Sequence, residues 1–158
     1  MITQNIDGLH QAAGSKNVLE LHGSNWRQYC LDCGARYTLS YVLDTANHKD
    51  GGIPVCAKCG GVVRPDVVLY EEQLDGAVIQ AAVEAISTAE LLIVGGTSLG
   101  VYPAAGLLRY FSGDTLVLVN KSETPADRDA KLVIHEPIGQ VFDAVMGHSM
   151  RLLYENTP

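Results

Sequence analysis

The sequence lacks the apolar runs of a membrane protein, since no stretch approaches the roughly 18 uninterrupted apolar residues that suggest a spanning helix. Residues 1–10 have neither a basic start nor an apolar core, which excludes the pattern of a secretory signal peptide there. Positive charge is also scarce. There are 11 Lys and Arg against 18 Asp and Glu, and a net charge of −7 disfavours general binding to nucleic-acid phosphates. These absences predict a globular, cytoplasmic protein that binds neither membranes nor nucleic acids.

The 158 residues divide into three segments. Residues 1–27 are polar and broken by glycine, and residues 28–64 contain all four cysteines. Residues 65–158 alternate short apolar runs with amphipathic stretches, which favours strands at 67–70, 91–94, 116–119 and 132–134 and helices at 75–89, 103–110 and 141–150. This alternation predicts an α/β fold, namely part of a Rossmann-like parallel sheet with helices, plus a small four-cysteine module.

The cysteines form two C-x-x-C pairs, Cys30 with Cys33 and Cys56 with Cys59, which are 22 residues apart and are each followed by glycine. Two such turns supply four thiolates in the tetrahedral arrangement that Zn²⁺ accepts. Two disulfides or four unrelated core thiols are the alternatives, and the absence of an export signal disfavours the first. Four protein ligands leave no position for a reacting water, so we expect the zinc of this zinc-ribbon module to be structural.

A loop of small residues, 95–103, follows the predicted strand 91–94. Small residues between a strand and a helix let backbone N–H groups approach a phosphate. Residues 96–100 also spell G-x-S-x-G, which makes Ser98 a candidate nucleophile of a hydrolase. A loop with no ligand is the third interpretation. The aspartates and histidines that would continue the hydrolase order are Asp127, Asp129, His135 and His148.

Polar residues also follow the next predicted strand, at Asn120, Lys121 and Ser122. Ligands of open α/β sheets bind outside the carboxyl ends of the strands, so the two polar strand ends together favour a dinucleotide site. In the first segment, His22 stands directly before Gly23. A single histidine is more often a structural residue than a catalyst, and the other four histidines of the chain keep that interpretation.

Taken together and in order, these motifs resemble those of the sirtuin family of NAD-dependent protein lysine deacylases. The matching elements are TQNIDGLH at 3–10, ELHGS at 20–24, the two C-x-x-C pairs, RPDVVLYEE at 64–72, GGTSLGVYPAA at 95–105 and VNK at 119–121. The resemblance runs from residue 2 to about residue 145. It implies a deacetylase that acts on acyl-lysine proteins or peptides, uses NAD as co-substrate, releases nicotinamide and O-acetyl-ADP-ribose, and contains a structural zinc.

The resemblance also implies a role for each matching residue. His22 would be the general base that removes a proton from a ribose hydroxyl of NAD. The substrate peptide would lie against Val67, Val68 and Tyr70. Zinc would bind to the two cysteine pairs, Cys30, Cys33, Cys56 and Cys59. The residues that contact NAD would be Gln4, Asn5, Ile6, Asp7, Gly96, Thr97, Ser98, Asn120, Lys121, Ser122 and Ile138.

Two departures from the family pattern bear on activity. The family's sheet opens with a glycine-rich loop that closes over NAD, and no such stretch precedes the motif at 3–10, so we expect this chain to lack one wall of the cofactor site. Glu71 stands where the family commonly has glycine, which we expect to alter peptide entry. The alternatives to an active deacetylase are therefore a catalytically inactive zinc-containing fragment and a zinc-ribbon interaction module. Missing strands would also expose a sheet edge and favour self-association.

Overall fold

A computed structural model describes the backbone of residues 1–155 and the side chains of residues 1–147. The chain forms two compact units, Met1–Ala82 and Val83–Pro158. Within the described part of the chain, no helix has the length and apolar character needed to cross a bilayer. The side chain of His148, one of the histidines considered for a hydrolase, lies outside the described residues.

The first unit is built from short strands around one longer strand. Its strands are β1 (Ile2–Thr3), β2 (Leu19–Glu20), β3 (Gly23–Cys30), β4 (Arg36–Thr38), β5 (His48–Lys49), β6 (Ile53–Pro54) and β7 (Val63–Val67). Strand β3 pairs antiparallel with β4 on one side and with β7 on the other, and the β3–β7 register shifts between Ser24 and Gln28. Strands β1 and β2 form a parallel pair, and β5 and β6 an antiparallel pair. The connecting helices are α1 (Leu9–Ala12), α2 (Leu39–Leu43) and a 3₁₀ turn at Thr45–Asn47.

A small apolar core holds the four-cysteine module together. Its buried residues are Cys30, Cys56 and Val63, against which Ala35, Tyr37 and Val42 pack. Cys30 is also the residue opposite Val63 in the β3–β7 ladder. The module is therefore anchored to the longest strand of the unit, through the first cysteine of its first C-x-x-C pair.

The second unit contains the predicted parallel sheet. Its elements are β8 (Leu91–Gly95), a 3₁₀ helix (Ala104–Tyr110), β9 (Thr115–Val119), a 3₁₀ turn (Asp127–Asp129), β10 (Leu132–Ile134) and α4 (Ile138–Glu155), and helix α3 (Gly76–Ser87) crosses the boundary between the units. The strands run parallel in the order β10-β9-β8. The central strand β9 buries Leu116 and Leu118 with Ala126. The α/β class, the parallel strands and the helix predicted at 75–89 are thus confirmed.

Three predicted elements differ in extent or type. The helix predicted at 141–150 begins earlier, at Ile138, just after Pro137. The helix predicted at 103–110 is a 3₁₀ helix, because its bonds span three residues, as in Gly106 N–H to the Pro103 oxygen at 3.0 Å. The strand predicted at 67–70 is wrong in its position, since β7 ends at Val67.

Candidate functional site

His22 is held by backbone groups on two sides. Its ring Nδ1 lies 3.0 Å from the backbone oxygen of Gln4. A carbonyl oxygen only accepts hydrogen bonds, so in the neutral ring Nδ1 carries the hydrogen and Nε2 is the basic nitrogen. The backbone oxygen of His22 accepts the N–H of Val68 at 3.0 Å. These two bonds connect the histidine to the motif at 3–10 and to the segment that follows β7.

Gly23 allows the backbone beside His22 to approach β7 closely. Its φ is +78°, a conformation that side chains rarely adopt, and a Cβ at this position would collide with the backbone oxygen of Asp66. Gly23 also pairs with Val67 in the β3–β7 ladder. The glycine after the histidine is therefore required by the contact between the two strands.

The loop that follows β1 is fastened to the start of β3. The N–H of Asn25 donates to the oxygen of Ile6 at 3.0 Å, and the indole Nε1–H of Trp26 donates to the oxygen of Asp7 at 2.8 Å. The indole also covers Gly8, whose φ is +71° and where a Cβ would meet the ring. Sequence reasoning missed Trp26, the single tryptophan of the chain, because no motif marked it.

Two of the predicted nicotinamide-site residues are exposed on this loop and are oriented by local hydrogen bonds. The N–H of Asn5 donates to the hydroxyl of Thr3, which is itself buried, at 3.1 Å. The carboxylate of Asp7 accepts the N–H of Leu9 at 2.9 Å, at the start of α1. Both predicted residues therefore sit in one short loop next to the oxygen that holds His22.

The segment after β7 is fixed by an ion pair that sequence reasoning missed. Both Nη atoms of Arg64 contact the carboxylate of Glu72, at 2.7 and 3.0 Å, and Nη2 also donates to the oxygen of Val67 at 2.6 Å. Glu72 in turn accepts the N–H of Leu69 at 2.9 Å. The hydrogen bonds from Arg64 lower the pKa of Glu72 to about 2. These contacts turn the chain after Val67, which is why the strand ends there.

The residues predicted to contact a substrate peptide have different environments in this segment. Val67 ends β7, Val68 is bonded through its N–H to His22, and Tyr70 is fully exposed. Glu71 follows at a φ of +71°, a left-handed conformation that glycine adopts without strain. The left-handed backbone at this position therefore suits the glycine expected there from the family resemblance, whereas this chain has glutamate.

The four cysteines come together as one cluster. Their sulfur atoms lie within 4.8 Å of one another, with Cys30 to Cys59 at 3.5 Å and Cys33 to Cys56 at 3.6 Å. A tetrahedral site with Zn–S bonds of about 2.3 Å places its sulfurs about 3.8 Å apart, so these spacings fit Zn²⁺. No pair is close enough for an S–S bond, which disfavours the two-disulfide alternative.

The sulfur of Cys56 contacts two groups that are not cysteines. The phenol oxygen of Tyr37 lies 3.0 Å from its sulfur, and the N–H of Lys58 donates to the same atom at 3.4 Å. The hydrogen bond with Tyr37 contributes most to lowering the pKa of the Cys56 thiol, to about 6. The hydrogen bond with Tyr37 therefore favours the thiolate form of Cys56, the form in which cysteine binds metals.

In the second unit, the loop after β8 leaves space at its backbone. Gly96 has a φ of +64°, and a Cβ there would meet nothing within 4 Å. The hydroxyl of Thr97 accepts the N–H of Leu99 at 3.3 Å, and the hydroxyl of Ser98 accepts the N–H of Gly100 at 3.4 Å. The loop thus has open space at the Gly96 backbone and carries two hydroxyl groups at the end of β8, as the phosphate-loop interpretation expects.

Ile138 lies directly over the end of β8. A Cβ on Gly95 would collide with Cδ1 of Ile138, so glycine at this position makes room for the isoleucine. Ile138 itself remains partly exposed at the first residue of α4. The structure therefore brings this predicted adenine contact to the same strand end as Gly96.

The polar residues after β9 belong to a second local network. The side-chain amide of Asn120 donates to the oxygen of Ser122 at 2.8 Å, and Lys121 between them is exposed. His135 Nδ1 lies 3.0 Å from the oxygen of Asn120, and its Nε2 lies 3.2 Å from the carboxylate of Asp127. This network fixes the conformation of the turn that carries Asn120 and Lys121.

The same network disfavours a hydrolase triad of Ser98, His135 and Asp127. Asp127 and His135 do form a pair, as the chain order of a hydrolase would suggest. However, both ring nitrogens of His135 are already engaged, one by Asp127 and the other by the backbone of Asn120. No nitrogen of this histidine is therefore left to take a proton from Ser98, whose hydroxyl instead accepts the N–H of Gly100.

Comparison with known sequences gives a consistent family. The model of the Sir2 family matches residues 1–103. The chain is 60% identical over 146 residues to an NAD-dependent protein deacetylase of Clostridium acetobutylicum, covering 92% of this chain and 58% of that protein. It is 58% identical over 147 residues to a protein of the same name from Clostridium perfringens, with the same coverages. The chain thus spans less than two thirds of the length of these relatives.

Solved structures with the same fold carry relevant ligands. A structure described as Sir2 bound to acetylated peptide matches with a TM-score of 0.88 and 40% identity, covering 94% of this chain and 62% of that chain. A structure described as Sir2-p53 peptide-NAD⁺ matches with a TM-score of 0.87 and 41% identity over the same shares. The α/β fold and the four-cysteine module described above are therefore those of these proteins.

Proposed function

This chain belongs to the Sir2 family, and from that premise we propose that it carries the catalytic histidine, the substrate contacts and the zinc module of an NAD-dependent protein lysine deacetylase. One observation carries the proposal: the ring of His22 donates to the Gln4 oxygen, and the histidine's backbone binds Val68. The residue proposed as the base therefore stands between the segment proposed to bind nicotinamide and the segment proposed to bind the peptide.

His22 is suited to act as a general base in this reaction. With Nδ1 committed to the Gln4 oxygen, Nε2 is free to accept the proton of a ribose hydroxyl. NAD, when bound, supplies an anomeric carbon that becomes electrophilic as nicotinamide leaves. The backbone bond from Val68 keeps the imidazole at the edge of the peptide-binding segment.

Two sets of residues are proposed to contact NAD, and each lies within its own unit. In the first unit these are Gln4, Asn5, Ile6 and Asp7. In the second they are Gly96, Thr97, Ser98, Asn120, Lys121, Ser122 and Ile138. The open space at Gly96 supports a close approach of phosphate to backbone, and the partly exposed Ile138 beside Gly95 supports an apolar contact with the adenine ring.

The substrate would be an acetylated lysine in an extended peptide. Val67 and Val68 continue from β7, and Tyr70 presents its whole side chain to solvent. A peptide that lies along this segment would add backbone hydrogen bonds in the manner of an added strand and would direct its acyl-lysine towards His22. Zinc at the four cysteines would stabilise the first unit without taking part in the chemistry.

The test is a deacetylation assay with the whole chain, NAD and an acetyl-lysine peptide, followed by mass spectrometry. We expect NAD-dependent replacement of one acetyl group by hydrogen, lost in His22→Ala and kept in His10→Ala, a matched change in the same unit. Activity that survives in His22→Ala would contradict the role of the histidine. Absence of turnover with one zinc bound per chain would favour the second candidate, a catalytically inactive zinc-containing fragment in which only half of the active site is present.

Self-association and a cytoplasmic location complete the proposal. Strand β8 is at the edge of the three-stranded sheet, and Leu91 and Ile93 on it are 52% and 47% exposed. Such an edge favours pairing with a second copy. Light scattering should give a mass above that of one chain, and this mass should decrease in Ile93→Lys. A stable monomer would contradict this expectation.

The proposed cytoplasmic location is supported by the four cysteines, which form no disulfide and therefore suit a reducing compartment. Cell fractionation tests this location.

A further inference from the structure

The side chain of Tyr37 contacts one of the four cysteines directly. Tyr37 lies on β4, packs into the core of the cysteine module, and places its phenol oxygen 3.0 Å from the sulfur of Cys56. The same oxygen accepts the N–H of Ala57 at 3.0 Å. One phenol therefore bridges the sulfur of Cys56 and the backbone of the next residue, at the start of the second C-x-x-C turn.

The direction of the phenol hydrogen bond follows from the chemistry of the site. A metal-bound cysteine is a thiolate, which has no hydrogen to donate, so the phenol must be the donor to Cys56. Its oxygen keeps lone pairs for the N–H of Ala57. Both contacts seen in the structure are thus compatible with a loaded zinc site without any rearrangement of Tyr37.

The burial of Cys56 makes this hydrogen bond more important than it would be at an exposed cysteine. Cys56 is buried, at 3% exposure, whereas Cys33 and Cys59 are exposed to solvent. Water can replace a lost donor at an exposed sulfur, but it cannot replace the phenol at the buried sulfur of Cys56, which would keep the longer bond from the N–H of Lys58 at 3.4 Å. Ala57 is exposed, so its N–H can turn to water. Removal of the phenol hydroxyl would therefore affect mainly the hydrogen bonding of the Cys56 sulfur.

We propose that Tyr37 is a positioning residue of the zinc site, whose O–H donates to the Cys56 thiolate and slows the loss of the metal. This inference depends on the proposal that the four cysteines bind zinc. It adds that the module's affinity for zinc is set by a phenol outside the ligand set. Hydrogen-bond partners of metal ligands commonly change metal affinity by about 10- to 100-fold when they are removed.

Tyr41 provides a matched control in the same module. Its ring lies 4.2 Å from that of Tyr37, but its hydroxyl donates to the backbone oxygen of Val55, at 2.8 Å, and not to a sulfur. Tyr37→Phe and Tyr41→Phe therefore remove the same atom from neighbouring rings. Only the first removes a donor from a thiolate.

The experiment first measures zinc per chain in the wild type and both variants, and then follows zinc transfer to a chromophoric chelator. We expect Tyr37→Phe to lose zinc about tenfold faster than the wild type, and Tyr41→Phe to match the wild type. Cobalt substitution gives a second measurement. A hydrogen bond to a thiolate lowers the energy of its sulfur electrons and so raises the energy of the sulfur-to-cobalt charge-transfer band. Removal of the donor in Tyr37→Phe should therefore move this band to lower energy, and Tyr41→Phe should leave it unchanged.

Each outcome decides the proposal. Equal rates of zinc loss in the wild type and Tyr37→Phe would overturn the proposal. Faster zinc loss with an unmoved cobalt band would also overturn it, because the faster loss would then come from altered packing of the ring and not from the lost hydrogen bond. If Tyr37→Phe does not fold, 3-fluorotyrosine at position 37 replaces it, because it keeps the shape of the tyrosine side chain and its hydroxyl donates more strongly. The sulfur-to-cobalt band should then move to higher energy than in the wild type. An unmoved band would overturn the proposal. A wild-type chain that retains neither metal would overturn this inference together with the proposed zinc site.

Discussion

Replacement of Gly23 by alanine should strongly destabilise the first unit. The left-handed φ of +78° costs an alanine about 1–2 kcal/mol. The new Cβ would also collide with the oxygen of Asp66, so β3 must move away from β7 and weaken the bond between Val68 N–H and the His22 oxygen, at about 1 kcal/mol. We therefore expect the free energy of unfolding to fall by about 2–3 kcal/mol in total.

Urea denaturation, followed by the fluorescence of the single tryptophan, measures this loss, because Trp26 lies on β3 itself. Gly14→Ala is the control. Gly14 also has a left-handed φ, of +93°, but a Cβ there meets nothing within 4 Å. This control should show only the conformational cost of about 1–2 kcal/mol. If Gly23→Ala were no less stable than Gly14→Ala, the argument from the β3–β7 contact would be refuted.

Three further predictions concern the segment after β7 and the metal. Glu71→Gly should raise the free energy of unfolding by about 1 kcal/mol, because it removes the strain of a left-handed φ; a stability at or below wild type in urea would contradict this. The folded-state pKa of Glu72 is lowered from 4.5 to about 2, so its stabilising contribution should be complete above pH 4.5 and lost as the pH falls towards 2. The melting-temperature difference between wild type and Glu72→Gln should shrink across that window, and a constant difference would exclude the pair with Arg64 as its cause. Removal of zinc by a chelator should unfold the cysteine module, since four sulfurs within 4.8 Å of one another then lack their common cation; an unchanged near-UV circular dichroism spectrum would count against a structural metal.

The parts of the fold that sequence could predict are those with a strong local pattern. The runs at Leu116–Val119 and Leu132–Ile134 are apolar throughout, and such runs are typical of buried parallel strands, which the structure contains at these positions. Each pair of cysteines is equally predictable, because the spacing within a C-x-x-C turn itself brings two sulfurs together. In both cases the signal lies in residues that are neighbours in sequence.

The contacts that sequence could not predict join residues that are distant in sequence. The indole of Trp26 reaches Asp7 across 19 residues, and Tyr37 reaches Cys56 across the same separation. The end of β7 is set by Arg64 and Glu72, whose pairing is visible only once the chain turns. The apolar run from Val67 to Tyr70 predicts a strand, because local apolar character carries no information about such an ion pair.

The geometry around His22 depends on backbone more than on side chains. The group that fixes the hydrogen on Nδ1 is the carbonyl oxygen of Gln4, and the group that holds the histidine's own backbone is the N–H of Val68. Neither group is changed when the Gln4 or Val68 side chain is replaced. The second of these bonds needs the close approach of β3 to β7, which Gly23 permits. The tautomer proposed for catalysis therefore depends on the loop after β1, whereas the position of the histidine's backbone beside β7 depends on the glycine that follows it.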